Sequence, residues 1–462
     1  MTTSNTISMQ QPDVSIAAEL REKRKQRIQS SLAKRHRKEK NFRIFGFASV
    51  ITGLLFVALL FSSILAKGLP AFWQSTLTVP VYFDPSMINV GAQPVQRQGE
   101  SPAQYEQRFV EWQMSMGVVN WDALLINGMI AKDQTLAAQR DNLSSIYTSS
   151  EAYHLRDMVL ADPTLIGQTV EIKILADANI DVWLAGNIDR SLPDEQQQLS
   201  PEIRQLADQM QASGVIESTF NVNILTSPDS RSSPASSGLA GAFMGSLFMM
   251  LIVIIISIPI GVASAIYLEE FAPKNWLTDV IEVNINNLAA VPSIVFGLLG
   301  AAIFIGWMHM PLSAPLVGGL VLSLMTLPTV IITTRASLKA VPPSTRQAAL
   351  GLGASRLQTV FHHVLPLALP GILTGAIIGV AQALGETAPL LLIGMSAFVA
   401  SVPATPLDQS SALPVQIFLW QGNELRNFFE GRTAAAIIVL LVMMIGLNSL
   451  AIWLRKKFEV RW

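Results

Sequence analysis

The sequence predicts an all-α membrane protein that crosses the bilayer six times, with an α+β domain inserted between the first and second transmembrane helices. Three observations carry this prediction: a deficit of charge, six long apolar runs, and a segregation of lysine and arginine along the chain. Only 14% of residues are charged, against about 25% in an ordinary soluble domain. The apolar runs cover residues 42–66, 239–267, 283–307, 316–333, 369–394 and 434–454. A helix needs about 20 apolar residues to cross a bilayer, and only helices or closed barrels leave no backbone group unpaired in lipid. These runs are too long and continuous for barrel strands, which alternate over about 10 residues.

Each run takes its orientation from nearby basic residues. Before the first lie Arg21, Lys23, Arg24, Lys25, Arg27, Lys34, Arg35, Arg37, Lys38, Lys40 and Arg43, so residues 1–41 form a basic cytoplasmic tail. After the last come Arg455, Lys456, Lys457 and Arg461, which keep tail 455–462 on the same side. Six crossings satisfy both ends. Arg335, Lys339, Arg346 and Arg356 place the segment between the fourth and fifth runs inside as well. The long segment between the first two runs then falls outside. This is the topology of a multi-pass protein of a bacterial inner membrane. The first run is longer than a signal-peptide core of about 7–15 residues and reads as an uncleaved anchor. Its basic leader has two open readings: a helix on anionic lipid head groups, or a solvated tail that only fixes topology.

Several classes are excluded or disfavoured. The net charge is −1, so no global basic field attracts nucleic acid. There is no cysteine, hence no disulfide framework and no thiolate metal site. His36, His154, His309, His362 and His363 make no metal-binding spacing, so no metal site is expected.

Residues 67–237 are long enough for a core of their own. Helices are expected around 102–116, 123–139, 142–160 and 201–212, with strands at 169–175, 181–184 and near 217–225. The stretch 227–237, rich in serine and proline, reads as a flexible linker. The acids Asp157, Asp162, Asp177 and Asp181 are scattered and form no catalytic constellation. No catalytic residue is expected anywhere in the chain.

The sharpest signal is the loop 340–366. Pro342-Pro343 stops the preceding helix, and Ser344 has Gln347 three residues on, the spacing of a capping box. A short helix over 345–352 should be broken by Gly351 and Gly353, and a second should run over 355–364 to Leu365-Pro366. A short rigid helix on the inner side of the membrane suits a coupling element. The segment resembles the EAA loop of ABC-importer permeases, in which Glu-Ala-Ala, a spaced glycine and a terminal Leu-Pro recur. Gln347-Ala348-Ala349, Gly353 and Leu365-Pro366 occupy those places at the family spacing. Gln347 stands for the usual glutamate and His363 for the usual isoleucine. The five runs 238–454 would then be the permease core.

The fifth run holds Glu386, and an ionised acid at the centre of a membrane helix costs about 2.5–3.5 kcal/mol on insertion scales. It is a functional candidate on that ground, against a bland reading as a polar anchor between packed helices. The string Gly385-Glu386-Thr387-Ala388-Pro389-Leu390, and the third-run segment from Asn286-Asn287 to Gly297, are similar to the phosphate-importer (PstA-type) permeases. The resemblance covers about residues 238–462. It implies translocation of inorganic phosphate by alternating access, with Asn286, Asn287, Ser293, Gln382, Glu386 and Thr387 as candidate path residues. The family often has arginine where Gln382 stands. Pro292 should kink the third run.

No Gly-x-x-x-x-Gly-Lys-Ser/Thr phosphate loop is present, so the chain is not itself expected to hydrolyse ATP and carries no cofactor. The resemblance implies a separate ATPase dimer (PstB-like) that binds ATP and Mg, a second permease (PstC-like) and an external phosphate-binding protein (PstS-like). Another oxyanion such as sulfate or molybdate is the alternative cargo. A membrane sensor or a secondary transporter is the alternative class.

Overall fold

The computed structural model describes residues 14–91 and 93–458. Residues 1–13 of the basic leader, and 459–462 with Arg461, lie outside the described residues. The chain divides into two compact units, Met1–Ser63 and Ile64–Trp462. The described residues of the first form a single helix, α1 (Val14–Gly68), which runs through the first apolar run without a break.

In the second unit the inserted region opens on strand β1 (Trp73–Tyr82), followed by α2 (Pro102–Met116), α3 (Trp121–Lys132), a 3-10 stretch Gln134–Ser145, α4 (Ser150–Ala161), β2 (Thr169–Leu175), α5 (Ala178–Leu184), α6 (Pro201–Ala212), β3 (Ile216–Phe220) and the short α7 (Asn223–Thr226). The sheet order is β2-β1-β3, with both pairings antiparallel. Leu77, Val79 and Val81 alternate inward from β1 and are fully buried. Each contributes about 1.5–3 kcal/mol of apolar burial. They pack with Leu124, Leu125, Ile172, Ile174 and Trp183 into a core of the inserted region.

Several expectations are corrected here. The central strand β1 was absent from the sequence reading. The strand expected at 181–184 is part of α5, because Asp177 Oδ1 accepts the Asn179 N–H at 2.9 Å and starts a helix there. The helices expected over 123–139 and 142–160 are joined by 3-10 turns over Gln134–Ser145 that are kinked at Gln139 (φ −119°, ψ 27°). The linker 227–237 is not loose. Ser233, Ala235 and Ser237 are buried, held by the Arg432 guanidinium, which donates to the carbonyls of Ala235 and Ser237 and to Gln74 Oε1.

The apolar part follows as α8 (Ala240–Ile266), a π turn Tyr267–Phe271, α9 (Trp276–Ala289), α10 (Ser293–Gly300), a π stretch Ala301–Trp307, α11 (Pro315–Ala340), α12 (Pro343–Gly351), α13 (Arg356–Gln358), a π turn Thr359–Val364, α14 (Leu365–Gly385), α15 (Ala388–Leu392), α16 (Leu413–Gln421) and α17 (Arg426–Phe458). Among the described residues five helices are long and apolar enough to cross a membrane, or up to six if one bent pair counts as a span. α8, α11 and α14 pack together through Met249, Val253, Val321, Leu322, Val380 and Ala383.

The bent pair is the third run. α9 and α10 meet at 102°, so the expected kink at Pro292 is a full break. The fifth run is also shorter than expected, since α14 ends at Gly385. Both stops have one cause: a proline offers no N–H to the carbonyl four residues back and clashes with it. Pro389 does this to Gly385, and Pro292 to Leu288.

Candidate functional site

The loop 340–366 folds as two helical pieces around a left-handed glycine. α12 begins behind Pro342 with no side-chain cap, so the capping role expected of Ser344 is not made. The capping box forms at the second piece. Ser355 Oγ accepts the Gln358 N–H at 3.2 Å, and Gln358 Oε1 accepts the Ser355 N–H at 2.9 Å. Between them Gly353 adopts φ +87°, a conformation that glycine reaches without a Cβ penalty. The Gly353 and Ala354 N–H groups satisfy the carbonyls of Leu350 and Ala349.

Ala349 is buried, while Gln347 and Ala348 are exposed beside Leu350 and Leu352. Leu352 is 91% exposed. Leu365 and Pro366 are half-buried at the start of α14, and His363 points to open surface, so its difference from an apolar residue costs no packing. Beneath the loop, Ile266, Leu338, Val341, Val360, Val364, Ala368 and Ile372 form an apolar cluster. It joins the ends of α8 and α11 to the second π turn and α14.

Beside that cluster lies an array of charges which the sequence reading missed. Arg346 on α12 donates to Glu270 (Nη2 to Oε1, 2.7 Å) and to the carbonyls of Leu338 and Val341, each at 2.8 Å. Glu269, next to Glu270 on the π turn after α8, meets Arg335 at 3.4 Å and Lys339 at 3.6 Å. Arg335 in turn meets Glu282 of α9 at 2.6 Å. Three acids face three bases, so the array is neutral. Glu270 (11% exposed) and Arg335 (13%) are its shielded members, whereas Lys339 (58%) lies at the rim. An exposed pair like that of Lys339 is worth about 0–1 kcal/mol. Acidic Glu269-Glu270 at the end of one apolar run and Arg335 at the end of another were the available signal.

The six candidate path residues divide into two groups. Ser293 opens α10 just after the Pro292 break, and Glu386 and Thr387 form the turn between α14 and α15. All three are half-buried. Their segments are brought together because α10 packs on α15: a Cβ on Gly297 would lie 2.6 Å from Pro389 Cα, which only glycine permits. Asn286 and Asn287 on α9, and Gln382 on α14, are exposed instead. Glu386 closes its helix rather than lying inside it, with ψ 125°. Among the described residues its carboxylate has no hydrogen-bond or ion-pair partner. Among the described residues no cluster of three metal-ligating side chains occurs.

Comparison with known proteins bears on both sites. Residues 257–462 match the family described as binding-protein-dependent transport system inner membrane component, and residues 29–194 match a domain of unknown function, DUF3333. The chain is 33% identical over 232 residues to the phosphate transport system permease protein PstA of Yersinia pestis, covering 48% of this chain and 75% of that one. To the PstA of Mycobacterium leprae it is 33% identical over 214 residues, with 46% and 68% covered. A probable ABC transporter permease protein of Bacillus subtilis, YqgI, is 35% identical over 160 residues, of which the match spans about half the length (53%) and 34% of this chain. Among solved structures, an amino acid ABC transporter aligns at 20% identity and TM-score 0.34, over 48% of this chain and 92% of that one. A bacterial alginate ABC transporter aligns at 14% identity and TM-score 0.36, over 47% and 78%.

Proposed function

We propose, from the premise that this chain belongs to the family of phosphate transport system permeases within the binding-protein-dependent ABC importers, that it forms one half of the membrane path of an ATP-driven importer of inorganic phosphate. The observation that carries the reading is the 340–366 loop: a short helix fixed from beneath by Ala349 and Arg346, with Gln347, Ala348, Leu350 and Leu352 left to the outside. That exposed face is the surface on which an ATPase subunit docks. The ATPase dimer, PstB-like, binds ATP and Mg and supplies the energy.

The chain sits in a bacterial inner membrane. Its six spans count α9–α10 as one broken crossing, both termini are cytoplasmic, and residues 67–237 form a periplasmic α+β domain. A PstC-like permease contributes the other half of the path, and a PstS-like protein delivers phosphate to the outer mouth. Glu386, Thr387 and Ser293 lie where two helix breaks meet. There, free backbone groups and polar side chains can serve a passing ion. Asn286, Asn287 and Gln382 reach the path from surfaces which the partner permease covers. Alternating access moves this junction between the two sides of the membrane.

One observation favours a second reading, another oxyanion such as sulfate or molybdate. Gln382 offers only neutral hydrogen bonds, where an arginine would offer a charged fork. Uptake of phosphate and of sulfate, in cells deleted for this chain and again after its return, separates the two. Selective loss and recovery of phosphate uptake supports phosphate, and loss of sulfate uptake supports the alternative.

A further inference from the structure

We propose that the charge array beside the coupling loop is a fixed mechanical link from α12 to the broken span, and that Arg346, Glu270, Arg335 and Glu282 are its positioning residues. The inference rests on the ABC-importer reading. It goes beyond that reading by naming the route through which docking is felt at the helix breaks.

The first half of the link is Arg346. Its guanidinium holds Glu270 and two carbonyls at the end of α11 at once. A planar fork satisfied on several sides fixes direction as well as distance. α12 therefore cannot shift without carrying the end of α11 and the π turn 267–271 with it. Single π turns of this kind recur at functional positions in helices.

The second half is Arg335. It stands between Glu269 of that same turn and Glu282 of α9. Among the described residues α9 has no buried side chain. Its apolar hold on the rest of the unit is accordingly weak, and Glu282 is its charged tie to α11. Movement received at Glu282 passes along α9 to Pro292, where the chain turns by 102° into α10. α10 in turn is seated on α15 through Gly297 and Pro389, beside Glu386 and Thr387. Each step is a direct contact or a helix, and the hinge between α9 and α10 is a proline.

The chain has no cysteine, so spin labels can be placed without altering a native thiol. Ser344→Cys on α12 and Leu277→Cys on α9 put one label at each end of the link, both at exposed positions. In the assembled complex with its ATPase, the label separation should stay the same in nucleotide-free and ATP-bound states. With Glu282→Gln or Arg346→Gln added, the separation should differ between the two states. In unlabelled complex, Glu282→Gln should keep ATP hydrolysis and ATPase binding but lower phosphate taken up per ATP at least tenfold. Glu270→Arg should restore part of the uptake lost in Arg346→Glu. A separation that varies with nucleotide in the unsubstituted chain, or stays fixed in both variants, overturns the link. So does a normal uptake-to-hydrolysis ratio in Glu282→Gln. If the unsubstituted complex carries no phosphate, the cargo reading fails, while the label separations still decide the link.

Discussion

Arg432 Nη2 lies 2.8 Å from Gln74 Oε1, joining the start of α17 to β1, the first strand of the inserted region. The same guanidinium holds Ala235 and Ser237, and its carbon stands 4.6 Å from the Phe428 ring centre. Arg432 is 3% exposed. Its removal leaves the Ser237 carbonyl without this donor in a closed site, at about 1–3 kcal/mol, while Gln74 Oε1 and the Ala235 carbonyl keep Asn221 and Gln74 Nε2 as donors. Arg432→Ala should therefore loosen the 227–237 segment and lower the unfolding temperature of the protein. Limited proteolysis checks this: cleavage within 227–237 should appear in the variant, and an unchanged digestion pattern would mean that the segment is held without Arg432.

Gly353 occupies left-handed backbone at the turn between α12 and α13. Gly353→Ala should cost about 1–2 kcal/mol locally and weaken ATPase binding modestly. Gly353→Pro demands φ near −65°, so it should remove ATPase binding and uptake while leaving membrane insertion intact. Co-purification of the ATPase with each variant is the check. Normal binding by Gly353→Pro would detach the loop from the coupling role.

At the other break, Glu386 has no partner among the described residues, although it is half-buried between α14 and α15. A polar side chain that only anchors two helices contributes about 0.6 kcal/mol and could be removed quietly. Glu386→Ala should instead reduce uptake at least tenfold with the complex still assembled. Assembly is read by size-exclusion chromatography and uptake by labelled phosphate. Unchanged uptake would leave Glu386 a packing residue.

The inserted region should also show a pH dependence. The Glu151 carboxylate beside His154 holds the imidazole pKa above its ordinary value of 6.5, against a smaller opposing effect of burial. A raised histidine pKa adds stability that is fully present below pH 6.5 and lost as pH rises through the folded value. The exposure of the imidazole, beside a buried Glu151, limits this to about 1 kcal/mol at most. Thermal melts between pH 5 and 9 should show a small loss above pH 6.5 that is absent in His154→Ala. Equal slopes in both proteins would contradict it.

What the sequence could reveal followed the range of each signal. Apolar runs and basic flanks are local, and α8, α11, α14 and α17 lie where the runs placed them. The 340–366 pattern is equally local, and its glycine turn appears as expected, but Leu365-Pro366 does not end the second helix: the backbone stays helical from Arg356 to Gly385, with Pro366 accommodated in the first turn of α14. The bounds of the broken spans were missed because hydropathy continues across Pro292 and across Glu386 while the backbone turns. β1 was missed because Pro80 sits within it. In the sheet, β3 pairs with β1 only from Trp73 to Leu77, so Pro80 lies beyond that pairing. Arg346 with Glu270, Arg335 with Glu282, and Arg432 with Gln74 are pairs far apart in the chain. No periodicity or spacing within a segment encodes such partners.

The most direct test of the importer assignment is phosphate accumulation in proteoliposomes that contain this chain, its partner permease and the ATPase, with the binding protein supplied outside. Accumulation should need ATP in the lumen and persist when ion gradients are collapsed. Accumulation driven by a gradient without ATP, or ATP hydrolysis that moves no phosphate, would contradict it.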